Sequence, residues 1–168
     1  KDINKKILKS INVSIKRGSI FFGNELDKFE NKFIKINNAN YGAAVGSGTD
    51  ALILALKAID IKKDDEVIIP SFTCVVVPNA ILYSGARPIY CDVMNDDFNI
   101  DVSKIERLIT PKTKVLYAQH TFGQMCDIYN IQKIAKKYNL IVIEDTAGAL
   151  GAKLHNKHAG TIGDFGYF

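Results

Sequence analysis

The residues best suited to chemistry in this chain are Gly48 and Thr49, in the turn Gly46-Ser47-Gly48-Thr49. An apolar segment precedes the turn, and a helical pattern of apolar residues follows it directly. The first turn of a helix presents unpaired backbone N–H groups and the positive end of the helix dipole, which together favour phosphate. Gly48 allows a ligand to approach the backbone, and the Thr49 hydroxyl adds a donor. Small residues at such a turn also serve tight packing, so a second signal is needed.

The second signal is the carboxylate of Asp145, which follows the apolar stretch 140–143 and Glu144. A nearly all-apolar strand is typical of a parallel sheet that is buried on both faces. Ligands of open α/β sheets bind beyond the carboxyl ends of the strands, so parallel strands would bring Asp145 to the same edge as Thr49. A phosphate seat and a carboxylate on one edge suit a phosphorylated cofactor with a basic ring nitrogen, such as pyridoxal phosphate.

Strands and helices that alternate along the chain must position these residues. We predict helices over 2–17, from Asn24 as N-cap, after Thr49, and over 73–83, 103–109 (capped by Ser103) and 128–139. We predict strands over 41–45, 66–69, 87–93, 114–118 and 141–144, then a hairpin that turns at Asn156 and a strand that begins near Gly163. This alternation predicts an α/β fold with a mostly parallel sheet and helices on both faces.

Composition excludes several classes of protein. Charged residues form 24% and hydrophobic residues 47% of the 168 residues, values typical of a globular domain. The formal net charge of +4 is carried by scattered lysines, which indicates a solvated surface rather than a nucleic-acid groove. No apolar run is long enough to span a membrane, and none resembles the apolar core of a signal peptide. Cys74, Cys91 and Cys126 are odd in number and widely spaced, as in a reducing compartment, so we expect a soluble cytoplasmic protein without a metal site.

Eight short segments resemble, in order and spacing, the DegT/StrS sugar aminotransferase family of pyridoxal-phosphate enzymes with the aspartate aminotransferase fold. They are Gly46-Ser47-Gly48-Thr49, 65–73, Asn79-Ala80-Ile81, 85–88, Thr113-Lys114, 120–124, 144–147 and 163–166. The resemblance runs from Gly23 to Phe168 and implies part of the large domain of a fold type I transferase. Residues 1–38 would form an N-terminal helical segment, and residues 39–168 the first part of the cofactor-binding large domain.

The resemblance implies roles for four residues. Gly48 and Thr49 match the turn that holds the cofactor phosphate, and Asp145 matches the carboxylate that pairs with the pyridine nitrogen. Such a carboxylate keeps the ring protonated, so the ring can accept electrons during transamination. Ala147 matches a small residue that packs against one face of the ring. Without the other motifs, Asp145 would equally fit a helix cap or a surface ion pair, and Ala147 ordinary packing.

Three positions near this site depart from the family pattern. Cys74 stands where an aromatic residue usually stacks on the ring, and a sulfur offers less contact area. Gly148 stands where a Gln or His usually contacts the ring hydroxyl. His120 follows the strand over 114–118 and is hypothesised to replace that contact, although a single histidine at a strand end also fits a structural role.

The resemblance also implies a lysine that the printed chain lacks. In this family the Schiff-base lysine follows shortly after the Gly-Asp-x-Gly-x-Phe segment, which here ends at Phe168. Lys153 and Lys157 do not match it and fit solvated positions in the hairpin. A chain that stops on an aromatic residue in mid-strand reads as a fragment, so we expect the printed chain to be inactive alone and a longer parent to transaminate.

The implied reaction transfers an amino group from an amino-acid donor, commonly glutamate, to a nucleotide-linked keto sugar, for polysaccharide or secondary-metabolite biosynthesis. The resemblance further implies a homodimer. Two alternatives stay open: a sugar dehydratase of the same fold, with His in place of the lysine, and a truncated, non-catalytic binding domain. The link Ile20-Phe21-Phe22-Gly23 either borders the substrate or joins the core.

Overall fold

The computed structural model describes residues 2–18 and 21–168. These residues form two compact units, which divide between Ala44 and Val45. Our sequence-based boundary, between residues 38 and 39, lies slightly before that division. Ser19, of the predicted break at Gly18-Ser19, and Ile20, of the apolar link, lie outside the described residues.

The first unit contains two helices, α1 (Asp2–Lys16) and α2 (Asn24–Asn37). No described residue of α1 is buried. Helix α2 begins at Asn24 with Gly23 as its N-cap, so the predicted capping role of Asn24 is wrong. Phe21 is 85% exposed and Phe22 is 84% exposed, so neither joins a core in this unit.

The strand that we predicted over 41–45 does not form in the described part of the chain. These residues are exposed and have no strand as a partner. The Ala44 N–H donates instead to Glu30 Oε1 over 2.8 Å. An apolar sequence becomes a strand only when another strand accepts its backbone hydrogen bonds, and none of the described strands does so here.

The second unit contains, in chain order, α3 (Gly48–Ala58), β1 (Glu66–Pro70), α4 (Val76–Tyr83), β2 (Arg87–Cys91), β3 (Thr113–Gln119), α5 (Ile128–Tyr138), β4 (Ile141–Asp145), β5 (Lys153–Leu154), β6 (Lys157–His158) and β7 (Phe165–Tyr167). Five of the strands form a parallel sheet in the order β2-β1-β3-β4-β7. The predicted α/β class with a mostly parallel sheet is therefore confirmed.

Two hydrophobic clusters cover the two faces of this sheet. On one face, α3 and α4 pack through residues such as Leu56 and Ile81 against strand residues that include Ile143. On the other face, α5 packs against the alternate strand positions, which include Val142. Because successive side chains of a strand point to opposite faces, every inner strand contributes to both clusters, and the all-apolar strands of the sequence are explained.

Around the sheet, the structure corrects two local predictions and confirms a third. Helix α4 begins at Val76 rather than Thr73, which places Pro78 in the first turn, where the missing N–H costs little. Residues 103–109 form two short 3₁₀ turns instead of one helix, and Asp101 rather than Ser103 accepts the capping bond. The hairpin of β5 and β6 turns at Asn156, as predicted.

None of the helices in residues 2–18 and 21–168 combines the length and the apolar character that crossing a lipid bilayer requires.

Leu56 provides a test of the α3 face. Its side chain is fully buried in the cluster beneath α3 and α4. We expect Leu56→Ala to lower the free energy of unfolding by about 2–5 kcal/mol, because the truncation leaves a cavity. Leu54→Ala is the control on the same helix, since Leu54 is 52% exposed. Equal effects of the two variants in urea unfolding would contradict the packing described here.

Candidate functional site

Asp145 ends β4, in register with Gln119 of β3 and Tyr167 of β7. Its side chain is half-buried. The backbone N–H of Ala147 donates to Oδ1 over 3.0 Å, and the Tyr117 hydroxyl donates to Oδ2. The carboxylate therefore lies at the carboxyl end of the parallel sheet, where the sequence pattern placed it.

Two tyrosines that sequence analysis did not single out surround this carboxylate. The Tyr117 hydroxyl donates to Asp145, and its oxygen lies 2.5 Å from the hydroxyl oxygen of Tyr167. Because Tyr117 has one hydroxyl proton, Tyr167 is the donor to Tyr117. Burial, reinforced by the nearby carboxylate, raises the pKa of both hydroxyls well above the usual range of tyrosine. Both groups therefore stay protonated at neutral pH and act as donors.

The N-terminus of α3 forms the second part of the site. Ser47 is its N-cap: the Oγ atom accepts from the Asp50 N–H over 3.1 Å and donates to the Asp50 carboxylate over 2.8 Å. Gly48 and Thr49 follow in the first turn, where helix geometry offers their N–H groups no acceptor inside the helix. Both residues are half-buried, so the N–H groups and the Thr49 hydroxyl are available to an anion that approaches this end.

Tyr167 joins these two parts. A Cβ atom added to Gly48 would lie 3.5 Å from Cε2 of Tyr167, so the first turn of α3 packs beside the tyrosine ring. Tyr167 also lies in register with Asp145, and its hydroxyl is bonded to Tyr117, which donates to Asp145. The anion-binding turn and the carboxylate thus share one edge and one face of the sheet, separated by about one tyrosine side chain.

His120 lies on the opposite face of the sheet. It is 1% exposed, and its Nδ1 accepts the Cys126 N–H over 3.2 Å. Its Nε2 lies 2.9 Å from Oε2 of Glu144, so the bond to Cys126 assigns the ring proton to Nε2. Because Glu144 and Asp145 are consecutive on β4, their side chains point to opposite faces. The hypothesis that His120 replaces the missing contact to the cofactor ring is therefore wrong.

Glu144 explains why a histidine is needed on that face. Its carboxylate is completely buried. Oε1 accepts the N–H groups of Ile162 and Gly163 over 2.7 Å and 2.6 Å. Oε2 accepts from Gly160 over 3.0 Å and from His120. These four donors compensate for burying the carboxylate, and they attach the segment that leads into β7 to the end of β4.

The remaining predicted site residues lie in loops at the carboxyl ends of the strands. Cys74 is exposed just before α4. Ala147 and Gly148 are exposed and follow Asp145 after one buried residue, Thr146. Together, the donors at the start of α3 and the Asp145 carboxylate fit a molecule with an anionic phosphate at one end and a basic ring nitrogen at the other.

Comparisons with known proteins agree with this fit. A family model described as the DegT/DnrJ/EryC1/StrS aminotransferase family matches residues 1–168. A GDP-perosamine synthase of Escherichia coli is 47% identical over 146 residues, which cover 87% of this chain and 40% of that protein. A dTDP-3-amino-3,6-dideoxy-alpha-D-galactopyranose transaminase of Aneurinibacillus thermoaerophilus is 43% identical over 160 residues, which cover 95% of this chain and 44% of that protein.

A solved structure shows the same likeness in three dimensions. The chain superposes on NtdA from Bacillus subtilis, solved with bound cofactor PMP, with a TM-score of 0.89 and 36% identity. The match covers 95% of this chain and 37% of NtdA. The chain therefore spans less than half the length of the relatives that it matches.

Glu144→Gln tests the buried carboxylate. The substitution removes the charge and places an NH₂ group among four donors, so we expect a loss of at least about 3 kcal/mol in the free energy of unfolding. The control is Glu106→Gln, since the Glu106 side chain is 44% exposed in its pair with Lys137. We expect little change there. A melting temperature that falls equally in both variants would contradict the assigned role of Glu144.

Proposed function

The chain belongs to the DegT/DnrJ/EryC1/StrS aminotransferase family, and on that premise we propose that it serves pyridoxal-phosphate-dependent transfer of an amino group to a nucleotide-linked keto sugar. One observation carries the proposal for this chain. The first turn of α3 packs beside Tyr167, and Asp145 lies in register with Tyr167 and accepts from Tyr117, on the sheet face that α3 covers. A phosphate and a ring nitrogen of one molecule can therefore be held at the same time.

In this proposal, Gly48 and Thr49 bind the cofactor phosphate through their backbone N–H groups and the Thr49 hydroxyl. Asp145 accepts a hydrogen bond from the protonated ring nitrogen and keeps that nitrogen cationic. When bound, the cofactor supplies an electron sink that stabilises a carbanion. Ala147 is small and exposed beside Asp145, so it leaves room for the flat ring. Cys74 contributes the smaller contact of a thiol in place of an aromatic ring.

We propose that the Schiff-base lysine of this reaction is none of the lysines in residues 1–168. Lys153 and Lys157 lie on the two strands of the small hairpin, and both are exposed. In the order of motifs that the family shares, the lysine follows the Gly163–Gly166 segment. In this proposal Asp145 binds and orients the cofactor, whereas the proton that moves during transamination is carried by the lysine, which is not among residues 1–168.

The names of the relatives support the proposed substrate class. One is called a GDP-perosamine synthase and another a transaminase of a dTDP-linked amino sugar. We propose an amino-acid donor, commonly glutamate in this family, and a homodimer as the working form. Cys74, Cys91 and Cys126 are free thiols, which supports the cytoplasm as the compartment.

The experiment that tests this function uses the full-length protein with pyridoxal phosphate, glutamate and GDP- or dTDP-linked keto sugars. We expect an absorption band near the visible edge that borohydride abolishes, and an amino sugar detected by mass spectrometry. A product that has lost a hydroxyl, without gaining nitrogen, would favour the dehydratase alternative. Ligand binding without any product would favour a binding domain.

Asp145→Asn provides the residue-level test. An amide cannot hold the ring nitrogen cationic, so we expect the transamination rate to fall by about 100-fold or more. The matched control is Asp60→Asn, because Asp60 is an exposed residue with a left-handed φ of 57°, which asparagine tolerates. Wild-type rates in Asp145→Asn would exclude the proposed role of this carboxylate.

A further inference from the structure

We propose that Tyr117 and Tyr167 form a positioning pair for Asp145, in which Tyr117 orients the carboxylate and Tyr167 holds the Tyr117 hydroxyl in place. This inference rests on the proposed function, since it concerns the carboxylate assigned to the cofactor ring. It adds two residues that act through Asp145 and do not themselves carry out the reaction.

The burial of Tyr117 is the first argument. Its side chain is 1% exposed and packs in the cluster beneath α3 and α4, whose other fully buried strand residues, such as Val67, Ile69 and Ile143, are purely apolar. A hydroxyl in such a place costs free energy unless it is hydrogen-bonded, and phenylalanine would fill the same space without that cost. The Tyr117 hydroxyl has two partners, Asp145 and Tyr167, and both lie in the site.

The count of acceptor positions is the second argument. A carboxylate offers about four lone-pair sites in total. Tyr117 occupies one on Oδ2 and the Ala147 N–H occupies one on Oδ1, while Tyr167 is bonded to Tyr117. About two sites remain for a ligand, so the protein donors hold both oxygens and still leave the group able to accept a ring N–H.

The charges around Asp145 are the third argument. Tyr117 faces it from β3, and Tyr167 lies in register with it on β7. In residues 2–18 and 21–168, no basic side chain forms a salt bridge with Asp145. The anion is therefore stabilised by neutral donors, which leave its charge available to a cationic ring.

The test compares Tyr117→Phe, Tyr167→Phe and the double variant with the control Tyr129→Phe. Tyr129 donates to the Leu154 carbonyl over 3.4 Å and packs against the cluster on the opposite face. The probe is pyridoxamine phosphate, which binds without a covalent bond, and its dissociation constant for the full-length protein is measured beside that of inorganic phosphate. Without the two hydroxyls, the carboxylate is no longer held towards the ring nitrogen, whereas the phosphate seat at α3 is untouched.

We expect the affinity for pyridoxamine phosphate to fall about 10-fold in the double variant, because the hydrogen bonds that orient the carboxylate are lost. The affinity for inorganic phosphate stays unchanged, and Tyr129→Phe binds both probes as the wild type does. Wild-type affinity for pyridoxamine phosphate in a folded double variant, or an equal loss for both probes, would overturn the inference. If Tyr117→Phe impairs folding, Tyr167→Phe decides alone, because Tyr167 is only half-buried. Failure of the wild type to bind pyridoxamine phosphate would instead overturn the proposed function.

Discussion

The alternation of side chains at the end of β4 is the constraint on which the rest of the structure depends. Glu144 and Asp145 are consecutive carboxylates, and the pleat sends them to opposite faces of the sheet. Glu144 is completely buried, with four hydrogen-bond donors, while Asp145 stays half-buried at the edge. A shift of one residue in the register of β4 would exchange the two environments and destroy both.

The contacts on the buried face of β4 position the residues of the candidate site on its other face. Glu144 binds the N–H groups of Gly160, Ile162 and Gly163, and so holds the segment that leads into β7. β7 in turn places Tyr167 beside Asp145 and against the first turn of α3. The site therefore depends on a hydrogen-bonded network in the core of the opposite face, at a distance from any ligand.

Sequence patterns predicted the structural features that depend on residues close together in the chain. The apolar run before Asp145, the glycine turn before α3 and the hairpin at Asn156 each carry local signals, and the structure contains all three features. Sequence patterns could not assign the partner of His120, because the two faces of a strand end cannot be distinguished until the positions of the neighbouring loops are known. Tyr117 escaped notice for a related reason: in an apolar strand, a tyrosine reads as a core aromatic until its hydroxyl has a partner. The predicted strand over 41–45 failed because pairing depends on a second strand.

The account rests on the claim that α3 and Asp145 hold the two ends of one cofactor molecule. A crystal structure of the full-length protein with pyridoxamine phosphate tests this claim most directly. We predict phosphate oxygens within hydrogen-bond distance of the Gly48 and Thr49 N–H groups, and the ring nitrogen within the same distance of an Asp145 carboxylate oxygen. A phosphate bound elsewhere, or a ring nitrogen that faces away from Asp145, would contradict it.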